Sequence, residues 1–115
     1  AEQLLQVFNN ILKNATQAIK NGAEGKIYVS LETRNKEIFI KFVDNGIGIP
    51  ASIQQDIFKP NFTTKSTGMG LGLSLSKSFI ENMKGSITFN SKVKSGTTFI
   101  ICLPEEPEVL QEEDF

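Results

Sequence analysis

The segment "EIFIKFVDNGIGIP", residues 37–50, joins an alternating apolar stretch to a turn rich in glycine. Apolar residues recur at every second position up to Phe42, which is the period of a β-strand with one buried face. Asp44 comes next, and asparagine, two glycines and a proline then favour a sharp change of direction. The segment predicts a strand that ends at a carboxylate and a turn, and the other elements can be placed around it.

Three further stretches have the alternation of strands. "KIYVSLE", residues 26–32, precedes the strand of residues 37–43 and is joined to it by the polar turn "TRNK". "SITFNS" and "TTFIICL" near the end of the chain form a second hairpin across "KVKSG". The pattern assigns the apolar residues of the two neighbouring strands to different faces: Ile27, Val29 and Leu31 on one, and Ile38, Ile40 and Phe42 on another.

Apolar residues at three- and four-residue spacing predict two long helices, one over residues 2–20 and one over residues 70–83. A short helix is expected over residues 51–57. The element order is helix, two strands, a glycine-rich segment, helix and two strands. Hairpins imply antiparallel pairing, and helices long enough to cover one face of the sheet imply a two-layer α/β sandwich.

Length and composition fit one soluble globular domain. The chain has 115 residues, of which 39% are hydrophobic and 22% charged, and its longest apolar runs are too short to span a membrane. We expect no secretory leader, and because the sequence starts within a helical pattern we expect it to be part of a longer protein. Cys102 is the only cysteine, so a buried structural thiol and a reducing, cytoplasmic compartment are expected.

Charge is distributed unevenly along the chain. The formal net charge is −1, but all twelve basic residues precede Leu103 and share that region with only seven acids. The body of the chain therefore carries about +5 and tolerates an anionic ligand, although it lacks the basic and aromatic pattern of a nucleic-acid-binding protein. We predict one domain over residues 1–104 and a flexible acidic tail over residues 105–115.

The run "STGMGLGLSLS", residues 66–76, places three glycines just before a predicted helix. It matches neither the Walker loop nor the dinucleotide-binding pattern. A glycine-rich entry to a helix exposes backbone N–H groups beside the positive end of the helix dipole, which suits phosphate oxygens. A plain tight turn between helix and sheet is an equally good interpretation.

Two other polar features have both a functional and a structural interpretation. Asp44 can accept a hydrogen bond from the exocyclic amino group of adenine, or it can cap its own turn. Asn10 and Asn14 lie one helical turn apart and can offer amide oxygens to Mg²⁺, or they can be solvated. Lys65 can similarly be a solvated loop charge, and Phe58 and Phe62 can be core anchors.

The combination resembles the catalytic, ATP-binding domain of two-component sensor histidine kinases, in the superfamily that also contains DNA gyrase, the heat-shock chaperone ATPases and MutL. The resemblance covers nearly everything except the acidic tail. It rests on "QVFNNILKNATQAI" (N box), "VDNGIGIP" (G1 box), "IFKPNFTTK" (F box), "GMGLGLSLSK" (G2 box) and the closing strand "SGTTFIICLP". It implies a Bergerat-type α/β sandwich with a mixed, mostly antiparallel sheet, and the short threonine-rich lid is most similar to the nitrogen-regulation subtype.

The resemblance also implies roles for individual residues. Asn14 would be the Mg²⁺ ligand, with Asn10 supporting the phosphates and Lys65 neutralising their charge. Asp44 would receive the adenine amino group, and Thr97 would join it through an ordered water. The full set of implied nucleotide contacts is Asn10, Lys13, Asn14, Asp44, Gly46, Gly48, Ile49, Phe58, Phe62, Thr64, Lys65, Gly68, Met69, Gly70, Leu71, Gly72, Leu73 and Thr97.

Two departures from the superfamily define the expected reaction. The ATPases of the superfamily carry a glutamate four residues before the magnesium asparagine, where this sequence has Asn10, which cannot act as a general base. The chain also contains no histidine, the phosphoacceptor of the family. We therefore expect the domain to bind ATP and Mg²⁺ and to transfer the γ-phosphoryl group to a histidine on a separate dimerisation domain.

Partners follow from the same resemblance: that acceptor domain, a downstream response regulator, and no nucleic acid. The fragment is expected to be monomeric and the parent protein a cytoplasmic or membrane-anchored homodimer. Two alternatives stay open at this point. One is an ATPase or conformational switch of the gyrase and chaperone kind, and the other is a catalytically silent interaction module that keeps only the fold.

Overall fold

The computed structural model describes residues 2–19, 24–59 and 73–105 of the chain. The elements follow the predicted order: α1 (Glu2–Ala18), β1 (Ile27–Arg34), β2 (Glu37–Asp44), α2 (Ala51–Gln54), α3 (Leu73–Asn82), β3 (Ser86–Lys92) and β4 (Gly96–Pro104). The short helix α2 ends three residues earlier than expected. The second long helix is described from Leu73 onward, so its predicted start at residue 70 lies outside the described residues. None of the described helices is both long and apolar enough to cross a membrane.

The four strands form one sheet in the order β1-β2-β4-β3. All three pairings are antiparallel. The sheet was predicted to be mixed and mostly antiparallel, but no parallel pair occurs among the described strands. Asn35 and Lys36 connect β1 to β2 with positive φ angles of 52° and 65°, the geometry of a two-residue hairpin turn. The predicted antiparallel hairpins are confirmed, and β2 and β4, which are distant in sequence, become neighbours.

Helices cover one face of the sheet and close the hydrophobic core. The strand β4 alternates regularly, with Phe99, Ile101 and Leu103 buried and the residues between them half-buried. Helix α1 contributes Val7 and Ile11 to the same core, since their spacing places them on one side of the helix. Each such side chain stabilises the fold by about 1.5–3 kcal/mol when fully buried. The two-layer α/β sandwich is therefore the observed architecture.

The strand β1 departs from the sequence expectation. Val29 pairs with Phe42 and Leu31 with Ile40, so the apolar residues of β1 and β2 share one face of the sheet and do not occupy different faces. Nevertheless, Val29 is 55% exposed and Leu31 is 67% exposed. The core face of β1 is thus only thinly covered by the described residues.

The single cysteine lies on the face that the described helices leave uncovered. Cys102 is half-buried, so the expectation of a buried thiol was too strong. Burial, and then the hydrogen bond that its Sγ–H donates to Glu37 Oε2 at 3.3 Å, raise the pKa of the thiol. A thiol held in its protonated form is a poor nucleophile, which agrees with a structural role.

The described chain ends just past β4. The backbone N–H of Glu105 donates to the carbonyl of Lys36 at 2.8 Å, which holds the start of the predicted tail against the β1–β2 turn. The rest of that tail lies outside the described residues. The boundary between residues 1–104 and 105–115 therefore stays a prediction.

Candidate functional site

Asp44 is the last residue of β2, and it lies on the helix-covered face. The β2–β4 register pairs it with Thr97, because the two strands run antiparallel from Glu37 opposite Pro104. Its Oδ1 accepts hydrogen bonds from the backbone N–H groups of Gly46 at 2.8 Å and Thr97 at 3.3 Å. The bond from Gly46 is the Asx-type turn that the sequence left as an alternative, and it leaves Oδ2 without a hydrogen bond to any described residue.

The Asp44 carboxylate is costly for the fold. Its residue is only 7% exposed, and burial raises the pKa of the carboxyl group, although the backbone N–H groups of Gly46 and Thr97 oppose the shift. A charged group that is partly deprived of water and has no cationic partner among the described residues destabilises the folded state unless a ligand compensates it. Asp44 is therefore the strongest candidate for a ligand-binding group.

The segment after Asp44 lies directly against the β3–β4 turn. Gly48 has a φ of +78°, and a Cβ atom there would overlap the carbonyl oxygen of Lys92. The backbone N–H of Lys94 donates to the carbonyl of Ile47 at 2.8 Å. Glycine is required at position 48 both for its conformation and for this close approach.

Gly96 makes a second close approach, on the other side of Asp44. Its φ is +121°, and a Cβ atom would overlap the carbonyl oxygen of Asp44. The next residue, Thr97, is 3% exposed. The two glycines together fix the end of β2 against the start of β4, and this fixes the distance between Asp44 and Thr97.

Three further residues, Asn45, Gln54 and Ser91, support this site and were not predicted from the sequence. Ser91 Oγ accepts a hydrogen bond from the backbone N–H of Ile49 at 2.7 Å, and the Gln54 side-chain amide donates to the Ile49 carbonyl at 2.9 Å. The Asn45 side chain accepts from the Lys26 N–H at 2.7 Å and donates to the Glu24 carbonyl at 2.9 Å. A usable signal existed for Ser91, which is polar at a position where the alternation of β3 requires an inward-facing residue.

Two of the three asparagines of α1, Asn10 and Asn14, have different environments. Asn10 is half-buried, and its Nδ2 donates to Ser76 Oγ of α3 at 3.3 Å. Asn14 is 2% exposed, and its Nδ2 is buried without a hydrogen-bond partner among the described residues. The alternative in which both asparagines are solvated is therefore wrong for Asn14. Lys13, the neighbouring residue, is exposed.

Two predicted nucleotide contacts belong to the core. Phe58 packs edge-on against Phe89 and Phe99, with ring centroids 5.8 and 6.5 Å apart, so the core-anchor interpretation is confirmed for it. Leu73, at the start of α3, has no exposed surface. Their contact with a nucleotide stays a prediction. Eight predicted contacts lie outside the described residues, and their roles stay predictions too: Phe62, Thr64, Lys65, Gly68, Met69, Gly70, Leu71 and Gly72.

Among the described residues, no cluster of three or more acidic, histidine or cysteine side chains could hold a metal ion. A magnesium site of the predicted kind does not need such a cluster, because Mg²⁺ takes few protein ligands and completes its octahedron with water and phosphate oxygens. The buried, unpartnered amide of Asn14 fits that arrangement. Amide oxygen and nitrogen are interchangeable by a side-chain flip, so an oxygen ligand is available at this position.

The protein is an α/β sandwich, because helices cover one face of its antiparallel sheet. Its polar site lies beside the helices, where the buried carboxylate of Asp44 ends an inner strand. Comparison with known sequences gives the family. Residues 1–107 match the family described as "Histidine kinase-, DNA gyrase B-, and HSP90-like ATPase", and the chain belongs to it. The predicted superfamily is thereby confirmed.

The relatives are sensor histidine kinases. The chain is 37% identical over 106 residues to sporulation kinase B of Bacillus subtilis (strain 168), covering 92% of this chain and 24% of that protein. It is 44% identical over 108 residues to the histidine-protein kinase AtoS of Escherichia coli (strain K12), covering 93% and 17%. The chain thus spans about a quarter or less of these relatives. NtrB of Rhizobium meliloti (strain 1021) is 34% identical over 127 residues. Because kinases of other kinds are at least as similar, the nitrogen-regulation subtype stays a prediction.

Solved structures agree with the sequence relatives. The catalytic domain of the histidine kinase ThkA superposes with a TM-score of 0.79 at 33% identity, covering 94% of this chain and 70% of that one. The mycobacterial sensor histidine kinase MprB superposes with a TM-score of 0.76 at 26% identity. The fold is therefore that of histidine kinase catalytic domains.

Proposed function

We propose that this domain binds Mg·ATP and delivers the γ-phosphoryl group to a histidine on a separate dimerisation and acceptor domain. The observation that carries the proposal is the buried Asp44 carboxylate, which has a raised pKa and no cationic partner among the described residues. The membership of the chain in a family of ATPases supplies the class of ligand.

Adenine is the base that suits Asp44. The exocyclic amino group at its six position donates hydrogen bonds, whereas guanine has a carbonyl oxygen there, which a carboxylate repels. A hydrogen bond between the amino group and the carboxylate would compensate part of the cost of burying the charge. Gly48 supports this arrangement because the absence of a side chain lets the segment lie flat against the β3–β4 turn.

The phosphates would lie toward α1, where Asn14 would hold Mg²⁺ through its amide oxygen. When bound, Mg²⁺ neutralises the negative charge that the phosphoryl oxygens carry during transfer. Lys65 and the N–H groups of the glycine-rich run would bind the same oxygens. Positioning and charge neutralisation are the main contributions that a protein makes to phosphoryl transfer.

Transfer to a protein group is favoured over hydrolysis. Asn10 cannot take a proton from water, and its amide already donates to Ser76 across the α1–α3 contact. The chain contains no histidine, so the phosphoacceptor must lie outside it. We further propose that the parent protein is a homodimer, either cytoplasmic or membrane-anchored, and that it passes the phosphoryl group to a response regulator.

The test is equilibrium titration of the domain with ATP and GTP, with and without Mg²⁺. A hundredfold excess of ATP over its dissociation constant should stabilise the fold by about 2.7 kcal/mol. That corresponds to a rise in melting temperature of roughly 10–20 °C. GTP should produce a much smaller shift, and absence of any shift with ATP would refute the proposal.

The metal assignment has its own control on the same helix. Asn14→Ala should remove the magnesium dependence of ATP affinity, whereas Asn9→Ala, at an exposed position, should leave it unchanged. Steady-state hydrolysis of ATP by the isolated domain, abolished by Asn10→Ala, would instead support an ATPase or conformational switch. If the affinity for ATP depends equally on Mg²⁺ in the wild type, Asn14→Ala and Asn9→Ala, then Asn14 is not a ligand of the metal.

A further inference from the structure

Ser91 lies at the centre of a hydrogen-bond network beside the proposed base-binding corner, which we define as Asp44 and Thr97. Its Oγ is 2.7 Å from the backbone nitrogen of Ile49, 3.1 Å from the carbonyl oxygen of Gly96 and 2.7 Å from Thr97 Oγ1. No role is assigned to Ser91 by the expected chemistry of ATP binding. Its three neighbours nevertheless restrict what the corner can offer to a ligand.

The number of protons decides the direction of each bond. The Ile49 N–H can only donate and the Gly96 carbonyl can only accept, so Ser91 accepts from the first and donates its single proton to the second. The bond between the two hydroxyl groups can then form only if Thr97 donates to Ser91. This is the one assignment that satisfies all three contacts, and it uses the only hydroxyl proton of Thr97.

The corner is then composed of acceptors. Thr97 Oγ1 can offer only lone pairs to a ligand, and Asp44, which accepts from the Thr97 N–H at 3.3 Å, is an acceptor while ionised. An exocyclic amino group has two N–H bonds, so it can donate to Asp44 and, directly or through one water, to Thr97. A base edge that carries only acceptor atoms has nothing to donate.

We propose that Ser91 is a specificity-determining positioning residue: it fixes Thr97 as an acceptor and thereby favours purine nucleotides that bear an amino group at the six position of the base. The inference rests on the proposed binding of ATP and names the feature of the base that is selected. Ser91 contacts no ligand in this scheme and acts only through Thr97.

The experiment compares ATP with purine riboside 5′-triphosphate, which differs by lacking the amino group. In the wild type, ATP should bind more tightly. The preference is expressed as the dissociation constant of purine riboside 5′-triphosphate divided by that of ATP. Ser91→Ala should reduce this ratio by about two- to tenfold, which is the value of one neutral hydrogen bond. The reason is that the freed Thr97 hydroxyl can then donate to a base edge that carries only acceptors. Ser91→Cys, which keeps the side-chain shape but replaces the hydroxyl group with a weak donor and acceptor, should have the same effect. Ser91→Thr, which keeps the hydroxyl group, should retain the wild-type ratio.

Two controls separate this role from general support of the segment. Gln54→Ala removes the bonds from the Gln54 amide to the Ile49 and Ser91 carbonyls, at 2.9 and 3.3 Å, but leaves the Thr97 proton where it is. It should weaken both nucleotides equally and preserve the ratio. Ser86→Ala, the same change at an exposed position of β3, should alter neither affinity.

The outcomes distinguish the two levels of the proposal. If the wild type binds neither nucleotide, both the proposed function and the role of Ser91 are wrong. If the wild type prefers ATP but Ser91→Ala and Ser91→Cys keep the same preference as Gln54→Ala, the function stands and the specificity role of Ser91 is overturned. A reduced ratio in both variants, restored by Ser91→Thr, supports it.

Discussion

Replacing Asp44 with asparagine should stabilise the free protein while weakening its binding of ATP. The carboxylate uses one oxygen to accept two backbone N–H groups, those of Gly46 and Thr97. An asparagine Oδ1 can accept the same two hydrogen bonds. Asp44→Asn therefore removes the buried charge and largely preserves the local geometry.

The pH dependence of stability follows from the raised pKa of Asp44. Between the pKa of an unfolded aspartate, about 3.9, and the higher pKa of the folded protein, the native state binds more protons than the unfolded state. The free energy of unfolding of the wild type therefore falls as pH rises through this window, by about 1.4 kcal/mol for each unit separating the two pKa values. The asparagine variant lacks this loss, so its advantage should grow through the window and stay constant up to neutral pH.

The effect on ATP should have the opposite sign. A hydrogen bond to a charged group contributes about 1.5–3 kcal/mol, so losing the charge should raise the dissociation constant of ATP by about 10- to 150-fold. Calorimetric titration measures the affinity, and urea unfolding between pH 4 and pH 8 measures the stability. Asp56→Asn is the matched control, since Asp56 is paired with Lys59 at 2.8 Å on the surface, and it should change stability by less than about 1 kcal/mol. If Asp44→Asn binds ATP as tightly as the wild type, Asp44 does not hold the base, and if the ligand-free variant is less stable than the wild type at pH 7, the buried charge is not destabilising.

Other substitutions probe the rest of the site and the core. Gly48→Ala should destabilise the fold by at least about 1–3 kcal/mol, because position 48 has a φ of +78° and a Cβ atom there would overlap a backbone carbonyl. A urea-unfolding midpoint equal to that of the wild type would contradict the close approach. Ile101→Ala should cost about 2–5 kcal/mol, and Ile100→Ala clearly less, since the first is fully buried and the second half-buried; equal midpoints would disprove the assignment of faces. Asn14→Leu should stabilise the ligand-free domain by about 1–3 kcal/mol, because it removes an unpartnered buried amide, and a loss of stability would show that the amide is satisfied in solution.

Local periodicity predicted most of the fold. The spacing of apolar residues in α1 and the alternation in β2 and β4 are properties of the elements themselves, so both could be read without knowledge of tertiary contacts. The burial of Asn14 was not predictable in this way, because it depends on how α1 and α3 pack. Likewise, Val29 has the alternation of a core residue, but whether a helix covers it is decided elsewhere in the chain.

The candidate site was predicted in part. The turn residues after Asp44 indicated a sharp change of direction, which the positive φ of Gly48 confirms, whereas the close approach of Gly48 to Lys92 was not predicted. Thr97 entered only through the resemblance to a known family, because the pairing of β2 with β4 joins segments that are far apart in sequence and no local pattern reveals it. Ser91 was overlooked for a related reason, since its importance comes from three neighbours contributed by other parts of the chain.

The strand order has a consequence for how the site opens. Gly46 and Thr97 donate hydrogen bonds to the same oxygen atom, although Gly46 follows β2 and Thr97 is the second residue of β4. Separation of β2 from β4 would break the bond from Thr97, whereas the bond from Gly46 lies within the turn that follows β2 and would survive it. The Thr97 amide should therefore exchange with deuterated solvent at the rate of strand separation and the Gly46 amide at the rate of turn opening, and a bound nucleotide should slow both.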